Sequence, residues 1–174
     1  MQPKKHNLIA PSLYQEKLCK VFSDEVYRSN KDMYARRNQD NESKVKADIY
    51  LGKLAEFAVF NYLWTAGKEV SAPDIMVYEV KDKSYDADLY INDTSPLHVK
   101  SCMETGGYGN SWVFQPNDPL VSKPNEDETI ALVVVNDRGE FYCYIVKATE
   151  VASMYREPRK ATLNKKVLYE EDFI

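Results

Sequence analysis

YDADLYINDTSPLHVKSC, residues 85–102, is read first, because two apolar-alternating arms flank the turn-rich run from Asn92 to Pro96. Alternating arms about such a turn predict a β-hairpin. Side chains alternate across a strand, so Asp86, Asp88 and Tyr90 share one face, and Ala87, Leu89 and Ile91 the other. On the second arm His98, Lys100 and Cys102 oppose Leu97 and Val99. Centring the hairpin on Thr94 predicts Asp88 directly across from Lys100, with Cβ atoms roughly 5 Å apart. One reading of that pair is a cross-strand salt bridge on a solvated face. The other is a site.

Outward from the hairpin, DIYLGKLAEFAVFNYLWTAG (48–67) is apolar on nearly every side, which predicts a helix buried on most faces. Asp48 is expected to cap it and Gly67 to end it. Glu56 lies in its middle, where a carboxylate is costly to bury unless paired, hydrogen-bonded or bound to a metal. It either pairs with a lysine such as Lys53 at the helix rim or faces the same site as Asp88. An earlier helix is expected from a capping box at Ser12 and Gln15 to about Ser29, with a stripe of Leu18, Val21, Phe22, Glu25 and Val26. Residues 1–11 read as an irregular arm. The charged run 30–46 reads as a solvated loop or frayed helix, or else as a phosphate-contacting segment.

Ser71 to Asp74 turns the chain into an expected strand, Ile75 to Val80, and Lys81 to Ser84 turns it again. Beyond the hairpin, residues 104–109 form a glycine-containing loop. Ser111 to Gln115 reads as a strand with Val113 and Gln115 opposite Trp112 and Phe114. Pro116 to Glu128 reads as a long polar loop. The β-branched run Thr129 to Val135 is expected to be a central strand, joined by the turn Asn136–Gly139 to a strand from Glu140 to Val146. A short helix is expected over Thr149 to Tyr155, followed by a basic tail. The order predicts an α/β (α+β) domain, with a central mixed β-sheet of about five or six strands flanked by helices.

The 174 residues fit one domain. Within it, residues 1–47 form an N-terminal arm and helix and residues 48–174 the α/β core. Hydrophobic residues make up 44% of the chain, enough for a sizeable core. No run approaches the roughly 20 apolar residues that span a bilayer, and no apolar signal core follows the first residues. A soluble, intracellular (cytoplasmic) protein with no membrane partner is expected. Cys19, Cys102 and Cys143 form no CxxC pair and give no zinc-ligand spacing with His6 and His98, so free thiols are expected. The net charge of −4 does not advertise nucleic-acid binding, although local basic clusters still reach phosphate within a screening length of about 8 Å.

Glu56, Asp88, His98 and Lys100 together carry a chemistry. Carboxylates from two elements hold a hard cation such as Mg²⁺. Such an ion lowers the pKa of a bound water and neutralises charge on a phosphoryl group. A lysine beside that water orients it, deprotonates it or stabilises the developing charge.

A helix bearing Glu56, then Asp88, a turn and His98-Val99-Lys100, resembles the core of the restriction-endonuclease-like (PD-(D/E)XK) nuclease superfamily. The resemblance covers about residues 52–115. It implies a nuclease-like core over residues 48–174 and a Mg²⁺-dependent DNA endonuclease, with Mn²⁺ as a substitute ion. By resemblance, Asp88 and Glu56 bind the metal with the Val99 carbonyl, Lys100 serves the attacking water, and Gln115 matches an accessory glutamine. His98 stands where the motif normally has an acid. A neutral imidazole there accepts a water proton or ligates a metal, and the lost carboxylate places a two-metal arrangement in question. Asp86, Asp74 of the literal Pro73-Asp74 pair, and Glu104 are the lower-ranked acids. The partner implied is DNA, and cutting two strands implies a homodimer, although no heptad repeat marks an interface. The competing reading is a catalytically weak or inactive nuclease-fold protein that binds DNA or a protein partner. A small interaction module with a polar sheet face is the third.

Overall fold

A computed structural model describes residues 3–39, 41–78, 85–104, 109–159 and 164–174. Helix α1 runs Leu13–Ser29 from the expected capping box, in which Gln15 N–H donates to Ser12 Oγ (3.3 Å) and Ser12 N–H to Gln15 Oε1 (2.8 Å). Its inward face is centred on Cys19, Ser23 and Tyr27, with Leu18, Phe22 and Val26 beside it; Val21 is exposed. The expected stripe is therefore rotated, and two of its members, Val21 and Glu25, point outward.

The charged run is helical over residues 31–36 and 42–46. It forms α2, Lys31–Arg36, and the first turns of α3, Glu42–Thr65. The N-cap of α3 is Asn41, not Asp48. Asp48 sits one turn on from Lys44 and pairs with it at 2.8 Å, an i,i+4 contact that supports continuation rather than a start. A boundary at residues 47–48 thus falls inside α3. At the other end Gly67 adopts φ 74°, and its N–H and that of Lys68 close onto Trp64 O and Leu63 O, a Schellman stop. The run Lys53 to Val59 is buried at every position, because α3 packs between α1 and the sheet.

The sheet has five strands in the order β1-β6-β5-β3-β2. These are β1 Lys5–Asn7, β2 Leu89–Ile91, β3 Ser95–Met103, β5 Thr129–Val135 and β6 Phe141–Lys147. The β3–β5 pairing is parallel and the rest antiparallel, so the sheet is mixed as expected. The arm predicted to be irregular supplies edge strand β1. No strand forms over residues 75–78, where one was expected. The remainder of that strand, residues 79–80, the turn at 81–84, and residues 105–108 of the glycine-containing loop lie outside the described residues. Residues 69–71 instead cover the outer side of β2, through Ser71 N–H to Tyr90 O and Asn92 N–H to Glu69 O.

β4, Ser111–Phe114, leaves this sheet and pairs with β7, Lys166–Tyr169, a strand not anticipated. Its side chains alternate as expected: Trp112 and Phe114 are buried and Val113 is 48% exposed. Trp112 donates to Val133 O at 2.8 Å, tying this ribbon onto the sheet. The long polar loop contains a turn of helix, α4, Pro119–Ser122, and the helix after β6 is α5, Ala148–Val151.

Two cores result, one on each face of the sheet. Leu97, Val133 and Cys143 meet α1 and α3 on the first. Ile130, Leu132, Trp112, Phe114, Leu120 and Leu168 fill the second. All three cysteines are free. Among the described residues no helix is long and apolar enough to cross a membrane.

Candidate active site

The hairpin forms, with a different register from that expected. Leu89 pairs with Leu97 and Ile91 with Ser95 across a three-residue loop. Asn92 (φ 51°) and Asp93 (φ 57°) both adopt the left-handed conformation that Asn and Asp tolerate, so the loop is centred on Asp93 rather than Thr94. Moving the centre by one residue moves every partner by two. Continued beyond the ladder, the register sets Asp88 opposite His98, not Lys100. Because the shift is even, the faces are unchanged.

Asp88 lies just before β2, half-buried. Its Oδ2 accepts the Val99 N–H at 2.7 Å, which closes the open end of the hairpin. Val99 itself packs into the first core with Leu97, so His98 and Lys100 point to the second face. Lys100 finds a different carboxylate there. Its Nζ lies 3.7 Å from Oδ2 of Asp118, the N-cap of α4, and 5.3 Å from the Phe114 ring centroid. His98 is buried, with Nε2 3.9 Å from Glu128 Oε1. Burial lowers the His98 pKa and the charge of Lys100 lowers it further, while Asp88, Glu128 and Asp118 pull it back up; burial prevails and the ring is held neutral near pH 7.

Glu56 arrives from the opposite side of the sheet, on α3. Of the two environments expected for it, the lysine pairing forms. Lys53 Nζ contacts Glu56 Oε2 at 2.6 Å and donates to the Asp74 carbonyl at 2.8 Å, with the Phe22 ring 4.7 Å away. The pair is buried rather than at the helix rim, with Lys53 and Glu56 only 9% and 8% exposed. Burial pushes the Glu56 carboxyl up to about 8; Lys53 pulls it down, but the negative charges of Asp88 and Asp74 act with burial. Desolvation wins over a short ionic contact because both side chains are almost wholly buried. The charge of Asp88 thus acts on both Glu56 and His98.

Of the remaining candidates, Asp74 touches this group, through its carbonyl on Lys53. Gln115 follows β4, half-buried, and its carbonyl accepts from Asp118 N–H; the residue of that segment against Lys100 is Phe114. Glu104 is exposed beyond the end of β3, about 13 Å along the strand from Lys100. Asp86 is exposed ahead of β2. Asp74 folds back on its own loop, accepting from Met76 N–H and Tyr78 O–H.

Two carboxylates, an imidazole and a backbone carbonyl are suitable donors for a hard cation. Their arrangement is not. Glu56 is engaged by Lys53, Asp88 by the Val99 N–H, and His98 faces the other side of the sheet. Among the described residues no three His, Cys, Asp or Glu side chains converge closely enough to hold a metal ion. As arranged, the residues do not fit a resident ion.

Asp118 and Glu128 escape sequence reasoning. Asp118-Pro119 does carry a helix-start signal, an N-cap followed by Pro at the first helical position. Glu128 carries none; it joins the site because β5 runs parallel to β3 and brings the residue before Thr129 beside Leu97 and His98. No protein-family model, curated protein or solved structure matches the chain.

Proposed function

We propose that the chain is an endonuclease that hydrolyses phosphodiester bonds of DNA at the His98–Lys100 face of the hairpin. One observation carries the reading: His98 and Lys100 project from β3 onto one face, and Asp88 accepts the N–H of Val99 between them at 2.7 Å. The neutral imidazole takes the proton of the attacking water. The water oxygen bonds to phosphorus, the bond to the leaving nucleoside oxygen breaks, and that oxygen takes a proton from solvent. Lys100 stabilises charge on the phosphoryl oxygens, and Asp88 orients the hairpin that carries both groups. No step is assigned to a metal ion, because the donors do not converge. Cutting both strands asks for two copies of the site, and so for a homodimer on DNA.

A second reading has an observation of its own. The engagement of Glu56 by Lys53 favours a nuclease-fold protein that binds DNA or a protein partner without cutting. Incubation of supercoiled plasmid with wild type and Lys100→Ala, with Mg²⁺, with Mn²⁺ and in chelator, separates the two. Cutting reduced about 100-fold in the variant supports the endonuclease. Retarded but intact plasmid in all conditions supports the binder. A result of neither binding nor cutting sinks the endonuclease and leaves, of the second reading, a protein partner alone.

A further inference from the structure

Asp118 is 1% exposed, at the N-terminus of α4 within the second core. Its Oδ1 accepts the Leu120 N–H at 3.1 Å and so starts the helical turn. Its Oδ2 is buried, without a hydrogen-bond partner, and lies 3.7 Å from Lys100 Nζ. Capping needs one acceptor oxygen, which Asn or Ser supplies equally well and without a second oxygen to desolvate. What aspartate adds at this position is a negative charge facing Lys100. The lysine side chain is otherwise a flexible stem carrying a point charge, bordered here by the Phe114 ring.

We propose that Asp118 is a positioning residue for Lys100. It fixes the ammonium group of Lys100, whose side chain keeps 25% exposure, where the phosphoryl group would be bound. The proposal rests on the endonuclease reading for its consequence in catalysis, but the Asp118–Lys100 contact is testable without it.

The test is Asp118→Asn in the full chain, which keeps the capping oxygen and removes the charge. Two readouts are taken: steady-state plasmid cutting, and the rate at which Lys100 is acetylated by an amine-reactive ester, followed by mass spectrometry. The expected results are a kcat about 100-fold lower with KM nearly unchanged, and Lys100 acetylation about fivefold faster. Asp118→Glu should recover part of the kcat. A variant that cuts and is acetylated as wild type overturns the proposal, leaving Asp118 as a cap only. If wild type does not cut DNA, the endonuclease reading fails, and the acetylation rates alone decide whether Asp118 holds Lys100. If Asp118→Asn does not fold, Asp118→Ser, which also retains a capping oxygen, is measured in its place.

Discussion

Replacing Glu56 with Gln tests which force governs the buried Lys53–Glu56 pair. The contact is short and the partner is a cation, which by itself would hold the carboxylate ionised. Burial acts the other way and carries the pKa from 4.5 to about 8. The folded chain therefore binds this proton more tightly than the unfolded chain. Between these two values the unfolded state ionises while the native state stays protonated, so native stability falls as pH rises through the window. Below the lower value the cost is absent, and above the upper one it is fully developed. A shift of this size corresponds to about 5 kcal/mol at most. The assay is urea unfolding of wild type and Glu56→Gln from pH 5 to 9, followed by tryptophan fluorescence. Groups common to both chains cancel in the difference. Lys53 keeps an acceptor oxygen in the variant but loses its ionisable partner, which displaces the variant's curve, so the slope is the diagnostic. Wild type should lose several kcal/mol relative to the variant by pH 8.5 and then level off. A difference that stays flat, or in which wild type gains as pH rises, refutes the dominance of burial and makes the contact an ordinary ion pair.

His98 should titrate below its ordinary value of 6.5, since burial disfavours the imidazolium. With two histidines in the chain, proton NMR resolves it and His6→Gln assigns it; a midpoint at or above 6.5 contradicts the described burial. The native state resists this proton, so its contribution to stability is present above pH 6.5 and is lost as pH falls through the native midpoint. Asp88→Ala removes the acceptor of the Val99 N–H and should cost about 2 kcal/mol, with faster hydrogen exchange at Val99 and a smaller loss in Asp88→Asn. Unchanged exchange at Val99 would mean that Asp88 does not close the hairpin.

Much of the architecture was legible because it is written in local patterns. The capping box starts α1, Gly67 stops α3, and the apolarity of residues 48–67 on nearly every side places α3 between two layers. Strict alternation assigned Leu97 and Val99 to one face and His98 and Lys100 to the other, and it did the same for Trp112 and Phe114. Pattern failed where pairing depends on conformation. Two left-handed residues in the loop moved the hairpin register and gave Asp88 the Val99 N–H in place of Lys100.

By itself the sequence determined the start of α1, the end of α3 and which way the strand side chains face. These are consequences of backbone hydrogen bonding and apolar periodicity within a few residues. Tertiary structure alone decided the company each charge keeps. The parallel β3–β5 pairing brought Glu128 to His98, and the fold of residues 116–122 buried Asp118 beside Lys100. The packing of α3 sealed Lys53 against Glu56. Such contacts join residues far apart in the chain, and ionisation there is set by desolvation, which only the assembled layers produce.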